Sequence, residues 1–336
     1  MRWALLLLLA SLTWTQQAAP ATQFQSKTRD NARHQVSEYQ VSVTNVTYHG
    51  WPNSLILSNG KVEVVVVPAI GRVMQFRFVR EDGPFWENRA MDGKAPNPAA
   101  KEWSNFGGDK SWPSPQADWQ KITGRGWPPP VAFDAMPDHS NTHGGVVELV
   151  SAVDPSFGIR TRRRVELDYQ KPIMTITTTY EKVSGRPMKV GIGVRTQLRD
   201  PQRAFMVLPP KSRFPQGYVR LQFDPPHDLK VEDGLVSLTR DNTQSQIGSD
   251  ANTLLWMDEK YVVRIDSSRV RGEYADEGTN ATIYTGANPD AYVELETFGP
   301  LSLMKTGNKI QRRNVYTLLQ RQEKDPFAEA KRVLGQ

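Results

Sequence analysis

From Tyr39 to Leu319 the sequence keeps returning to short runs of Val, Ile, Thr, Tyr and Phe closed by turn residues, at a spacing of roughly ten residues. That rhythm constrains the fold more than any other feature. Chains patterned this way build a β-sandwich or barrel. Val41, Val43 and Val46 sit in an alternating segment. Leu55 to Leu57, Asn59-Gly60 and Lys61 to Val67 read as a hairpin, because Asn-Gly suits a type I′ turn. Arg72 to Val79 alternates with Val73, Phe76 and Phe78 inward, and needs one slip near Gln75. After an irregular stretch at 89–142, strands are expected at 145–153, 158–169, 173–182, 188–198, 218–223, 235–239, 253–257, 261–265, 281–285, 292–298 and 310–319. Only the tail reads as helix, with Asp325 as N-cap, Pro326 at the first helical position and Gly335 after Leu334. No long repeat and no Gly-rich phosphate loop interrupts the pattern.

Composition removes several function classes. The 336 residues contain no cysteine, which excludes disulfides, thiolate metal sites and cysteine nucleophiles. The charge of +6 is spread over 42 basic and 36 acidic residues, so no nucleic-acid partner is expected. The cluster Arg160 to Arg164 alternates into Val165 and Leu167, as a strand with a solvated or ion-paired face would. Arg2, the apolar run Trp3 to Leu12 and Ala19-Pro20-Ala21 read as a secretory signal peptide over residues 1–21. Residues 22–38 form a polar, flexible arm, and 39–336 form the β domain. Lys61 to Ile70 is broken by Glu63 and Pro68 and reads as a buried strand, so no stable membrane insertion is expected. The expected location is secreted or periplasmic.

The stretch from Trp103 to Asp134 carries the chemistry. Four of the seven tryptophans beyond the leader lie in it: Trp103, Trp112, Trp119 and Trp127. Its many Gly and Pro residues predict a long, stiff loop. Indole faces beside Asp109, Lys110, Gln116 and Asp118 suit a sugar, which has apolar faces and a hydroxyl rim. The plainer alternative is an aromatic lid over one end of a β core. Asp109 and Lys110, after Gly107-Gly108, are expected in the cleft as a pair for vicinal hydroxyls. Asp134, Asp138, His139 and His143 spell D-x-x-x-D-H-x-x-x-H, but Pro137 and Gly144-Gly145 argue for loop, where that spacing does not co-orient ligands. No metal and no cofactor is assigned. Glu294 and Glu296 share a strand face, as do Arg195 and Gln197.

Three stretches together resemble a known group: FWEN at 85–88, GGDK-x-WP-x-PQ at 107–116 with WPPPVAFD at 127–134, and YVELETFGPLSLMKTGN at 292–308. The resemblance is to a secreted, domain-of-unknown-function branch of the galactose mutarotase-like superfamily, and covers most of residues 40–320. It implies an all-β, antiparallel supersandwich whose concave sheet binds carbohydrate. It also implies that Glu296, within Leu295-Glu296-Thr297, is the general base of an aldose epimerase-like reaction. The superfamily's acid histidine has no counterpart here, because the matching strand carries Gln197, which cannot transfer protons at neutral pH. Lys110 or His143 is then the expected acid. The expected ligand is a carbohydrate held by Trp103, Asp109, Trp112, Gln116, Trp119, Trp127, Arg195 and Gln197. The alternative function is a non-catalytic structural or assembly factor of the periplasm or cell surface.

Overall fold

The computed structural model describes residues 40–336. The stretches expected to be a signal peptide, 1–21, and an N-terminal arm, 22–38, lie outside the described residues. Two antiparallel sheets account for the architecture. The first runs in the order β1 (Ser42–Tyr48), β2 (Trp51–Ser58), β3 (Val62–Val67), β4 (Arg72–Phe78), β5 (Asp109–Ser114), β10 (Met188–Arg199), β19 (Tyr292–Phe298), β18 (Ala281–Thr285), β15 (Ser245–Ser249) and β12 (Val219–Gln222), with β20 (Ser302–Met304) paired to β10. The second runs β13 (Lys230–Glu232), β14 (Leu235–Leu238), β11 (Arg203–Val207), β16 (Thr253–Met257), β17 (Tyr261–Asp266), β21 (Lys309–Gln320), β9 (Ile173–Lys182), β8 (Ile159–Leu167), β7 (Val146–Asp154) and β6 (His139–His143). The helical pieces are short: α1 (Trp119–Thr123), α2 (Val131–Asp134) and the C-terminal α3 (Pro326–Leu334). Among the described residues no helix is long and apolar enough to cross a membrane.

The period-2 pattern explains the core. Val64, Phe76, Leu198, Val293 and Leu295 of the first sheet meet Val147, Val165, Ile176, Val263 and Leu318 of the second in one buried cluster. Burying each such side chain contributes about 1.5–3 kcal/mol. The Arg-rich strand β8 behaves as its alternation demands. Arg162 faces outward and pairs with Glu148 at 3.2 Å and Glu181 at 3.1 Å, while Val165 and Leu167 face inward. Arg163 is the exception: it points into the interior and pairs there with Asp109.

Signals confined to one element act as expected in the C-terminal helix. Asp325 accepts from the Ala328 amide, Pro326 opens α3 and Gly335 closes it in the left-handed conformation. The β3–β4 pairing shifts register beside Gln75. The Asn59-Gly60 hairpin forms, though not on a type I′ turn, because Gly60 alone has positive φ. Asn59 works through its side chain instead: its Oδ1 accepts from the Lys61 and Val62 amides.

The stretch predicted as a long loop is not one. Residues 109–114 form β5, a strand inside the first sheet between β4 and β10. Pro113 is tolerated because β5 meets β4 only at the Val73–Asp109 pairing. Beyond that point the outer side of β5 has no ladder for a missing N–H to break. The Pro113 carbonyl on that side accepts from the Trp119 indole at 2.9 Å. Gly107 and Gly108 lead into β5 with φ of 91° and 71°. A side chain on Gly107 would meet the Trp86 carbonyl, and one on Gly108 would meet that of Val73.

Candidate carbohydrate-binding cleft

Register across the first sheet decides what faces the cleft. Trp112 pairs with Gly193 and Lys110 with Arg195; Arg195 pairs with Glu296, and Glu296 with Thr282. One step along, Gln197 pairs with Glu294, Glu294 with Tyr284 and Tyr284 with Gln246. Directly paired residues project from the same side of a sheet. The face turned away from the second sheet is therefore a polar and aromatic lattice, and the opposite face packs on that sheet. A cleft of about 480 Å³ opens on the lattice, lined by a cluster of Trp103, Trp112 and Trp127 and by Glu294, Glu296, Gln246 and Tyr284 among others.

The tryptophan wall is held by one buried carboxylate. Asp134, at the end of α2, accepts from the Trp103 and Trp112 indoles, both at 2.9 Å. The fully buried Arg72 donates to Asp134 at 2.8 Å and to the Gly107 carbonyl at 2.7 Å. Trp103 and Trp127 cross edge to face at 5.2 Å, and Trp127 is 46% exposed. An open indole face at a cleft mouth is a stacking platform.

Charge is concentrated on the floor. Arg195 Nε lies 2.7 Å from Glu296 Oε1. Glu296 Oε2 accepts from Gln246 at 2.7 Å and from the Thr282 hydroxyl. Glu294 has a sparser environment, with Lys110 Nζ at 3.4 Å. Burial raises the Glu294 pKa above the usual carboxylate range, an effect that the Lys110 charge opposes. Burial likewise lowers Lys110 to about 8, against the pull of Glu294. The Lys110 ammonium lies 5.1 Å from the Trp103 ring and 5.0 Å from the Trp112 ring, and Arg195 lies 4.4 Å over Trp112. The two carboxylates thus differ sharply in their partners.

Of the residues expected from the sequence, Trp103, Trp112, Gln116, Trp127, Arg195 and Glu296 line the cleft. Lys110 stands behind the wall, only 1% exposed, and reaches the cleft through Glu294. Four residues are elsewhere. Asp109 points to the other side of β5, as alternation requires, so it makes no pair with Lys110. It accepts from Thr196 at 2.6 Å and Tyr316 at 2.7 Å and pairs with Arg163. Trp119 is fully buried under the wall, 5.7 Å from Trp112, so the lid description fits it. Gln197 is on the same strand face as Arg195 but sealed, with neither side-chain nitrogen nor oxygen partnered among the described residues. His143 is exposed on β6, the edge strand of the second sheet, where it cannot supply an acid to the cleft.

The D-x-x-x-D-H-x-x-x-H residues do not converge among the described residues. Asp134 belongs to Arg72 and the indoles. His139 contacts Asn141 at 3.0 Å. Asp138 stands apart, pushed up to about 7 by burial. The cleft also contains residues that sequence reasoning missed: Gln222, Gln244, Gln246, Tyr284, Asp290 and Tyr292. Tyr284 and Tyr292 fall in strands that were expected, but only the register shows that they border Glu294.

The fold is the galactose mutarotase-like supersandwich. The structure is similar to a galactose mutarotase-like protein from Lactobacillus casei, with a TM-score of 0.55 at 9% identity over 79% of this chain and 100% of that one. It is also similar to a galactose mutarotase-like protein from Clostridium acetobutylicum, with a TM-score of 0.50 at 9% identity over 84% and 99% of the two chains. A galactose mutarotase related enzyme from Lactobacillus acidophilus matches with a TM-score of 0.50 at 11% identity over 79% and 97%. No protein-family model matches the sequence, and no curated protein matches it either. At such identities the likeness is one of fold.

Proposed function

We propose that the chain is an exported carbohydrate-binding protein that uses the aromatic-walled cleft on its concave sheet. The observation that carries this reading is the meeting, in one cleft, of an open indole wall with hydrogen-bonding carboxylates and amides. Trp103 and Trp127 line it together with Glu294, Glu296 and Gln246. A sugar ring needs both surfaces at once. Carbohydrate binding on the concave face is also what the supersandwich resemblance implies.

The pair of carboxylates favours an epimerase-like step as a second reading. Opening a pyranose ring needs a base for the O1 proton and an acid for the ring oxygen. Two carboxylates with different partners can divide such roles between them. Glu296, paired with Arg195, is the base that takes the O1 proton. Glu294, whose proton is favoured by burial, delivers one to O5 as the C1–O5 bond breaks. The open aldehyde turns about C1–C2 and recloses, and both protons return. Glu294 then replaces the acid that Gln197 cannot be, and Lys110 positions it.

Trp127→Ala should weaken the binding of a glycan found on an array by about tenfold, equivalent to about 1.4 kcal/mol. Because Trp127 also packs on Trp103, Trp112 and Trp119, a stability loss of about 1–3 kcal/mol is expected beside it. Isothermal titration and thermal melts measure both. Unchanged affinity would remove the stacking wall from the binding reading. Trp112 offers no such test, since it is 3% exposed on β5 and its loss would open the core.

A further inference from the structure

The cleft-lining face of β19 extends beyond the first cleft. Tyr292, Glu294, Glu296 and Phe298 follow one another along it. Six strand steps span about 20 Å. The first three line the cleft described above, and Phe298 lines a second cavity, also of about 480 Å³. The two cavities share Gln116, Arg195, Gln222 and Gln246 as a common wall, so they form one groove. Aromatic residues stand near both ends, and the Arg195–Glu296 pair lies between them.

The far cavity is shaped by an unusual turn. Asp276 and Glu277 both line it with left-handed backbone, at φ 49° and 60°. Consecutive non-glycine residues rarely adopt that region, and such strain concentrates at binding sites. Arg195, 5% exposed, lies on the shared wall with its Nη1 unpartnered among the described residues. Leaving aside Glu294 and Asp276, whose protons burial favours, Glu277, Asp290 and Glu296 still outnumber Arg195 and Arg220 along the groove, although the whole chain carries +6. Such a groove disfavours anionic ligands.

We propose that the groove binds a linear, uncharged oligosaccharide of at least two rings, laid along β19 across the Arg195–Glu296 pair. This rests on the carbohydrate-binding reading of the same cleft and extends it from one ring to a chain. One ring lies against Trp127 and Tyr292, and the next lies toward Phe298 and Glu277.

The test is titration calorimetry with matched mono-, di-, tri- and tetrasaccharides of the neutral gluco-, galacto- and manno-series, with hexuronate oligomers beside them. Ala117 is exposed and lines the far cavity alone, so Ala117→Trp fills that cavity from solvent without touching the core. Wild-type affinity should rise at least about tenfold from the monosaccharide to the disaccharide. Ala117→Trp should return the disaccharide to the monosaccharide's affinity and leave the monosaccharide's own affinity unchanged. Arg220→Ala, also in the far cavity, should weaken oligomers alone and serves if the added indole disturbs folding. Monosaccharide binding with no gain along the ladder overturns this inference and leaves the single-ring reading standing. Hexuronates that bind as tightly as the neutral series overturn the uncharged assignment. No binding by any member overturns both the inference and the reading beneath it.

Discussion

Asp109→Ala should cost about 3–5 kcal/mol of stability, the usual penalty for leaving one buried charge without its partner. The carboxylate is fully buried between the sheets and holds Arg163, itself 2% exposed, together with Tyr316 and Thr196. Alanine would leave a guanidinium and two hydroxyls unpaired in the interior. Burial with that carboxylate beside it raises the Tyr316 pKa, so the phenol stays a donor at neutral pH. Chemical denaturation measures the loss, and glycan affinity per folded molecule should stay the same. The double variant Asp109→Leu with Arg163→Met should recover part of the loss, because apolar replacements of a buried pair are often neutral. Lost binding at unchanged stability would return Asp109 to the cleft.

Glu296→Gln carries the largest expected effect on chemistry. An amide keeps the shape and part of the hydrogen bonding to Arg195, Gln246 and Thr282, but cannot take a proton. Anomer exchange should fall by roughly a hundredfold or more, with sugar affinity little changed. Glu294→Gln should fall to a similar level, and the double variant should be little worse, since the two act as a unit. His143→Ala should have no effect, because His143 is exposed on the edge of the other sheet. Magnetisation-transfer NMR on α and β anomers measures the rates. Wild type that binds a glycan but accelerates no aldose would leave the binding function and remove the enzymatic one.

The sequence made the sandwich legible because most strands show their alternation directly. In β8, Val165 and Leu167 turn inward against outward arginines. It hid the strands whose two faces are both polar or small. β15 reads Ser-Gln-Ile-Gly-Ser, with no apolar rhythm beyond Ile247, so Gln246 was invisible as a cleft residue. β5 was hidden by Pro113 and the glycines before it. Once β5 is a strand, the alternation that puts Glu294 with Glu296 puts Asp109 and Lys110 on opposite faces. The indole cluster stands out in the sequence, but how it divides between cleft and interior does not. Trp103 and Trp127 face the cleft, and Trp119 supports them from beneath. That division depends on Asp134, 22 residues from Trp112, a contact that only the folded chain reveals.

The central claim is that carbohydrate sits against the tryptophan wall, and the indole N–H signals test it most directly. The seven tryptophans from Trp51 to Trp256 give seven separate probes. Titrating the tightest glycan of the neutral series should shift the indoles of Trp103 and Trp127, which line the cleft. Trp51, whose indole donates to the Lys94 carbonyl, and Trp256, buried in the core between the sheets, should stay in place. Saturable shifts confined to the wall are the expected result. Static Trp103 and Trp127 signals under saturating glycan, or shifts centred on Trp51 or Trp256, would contradict it.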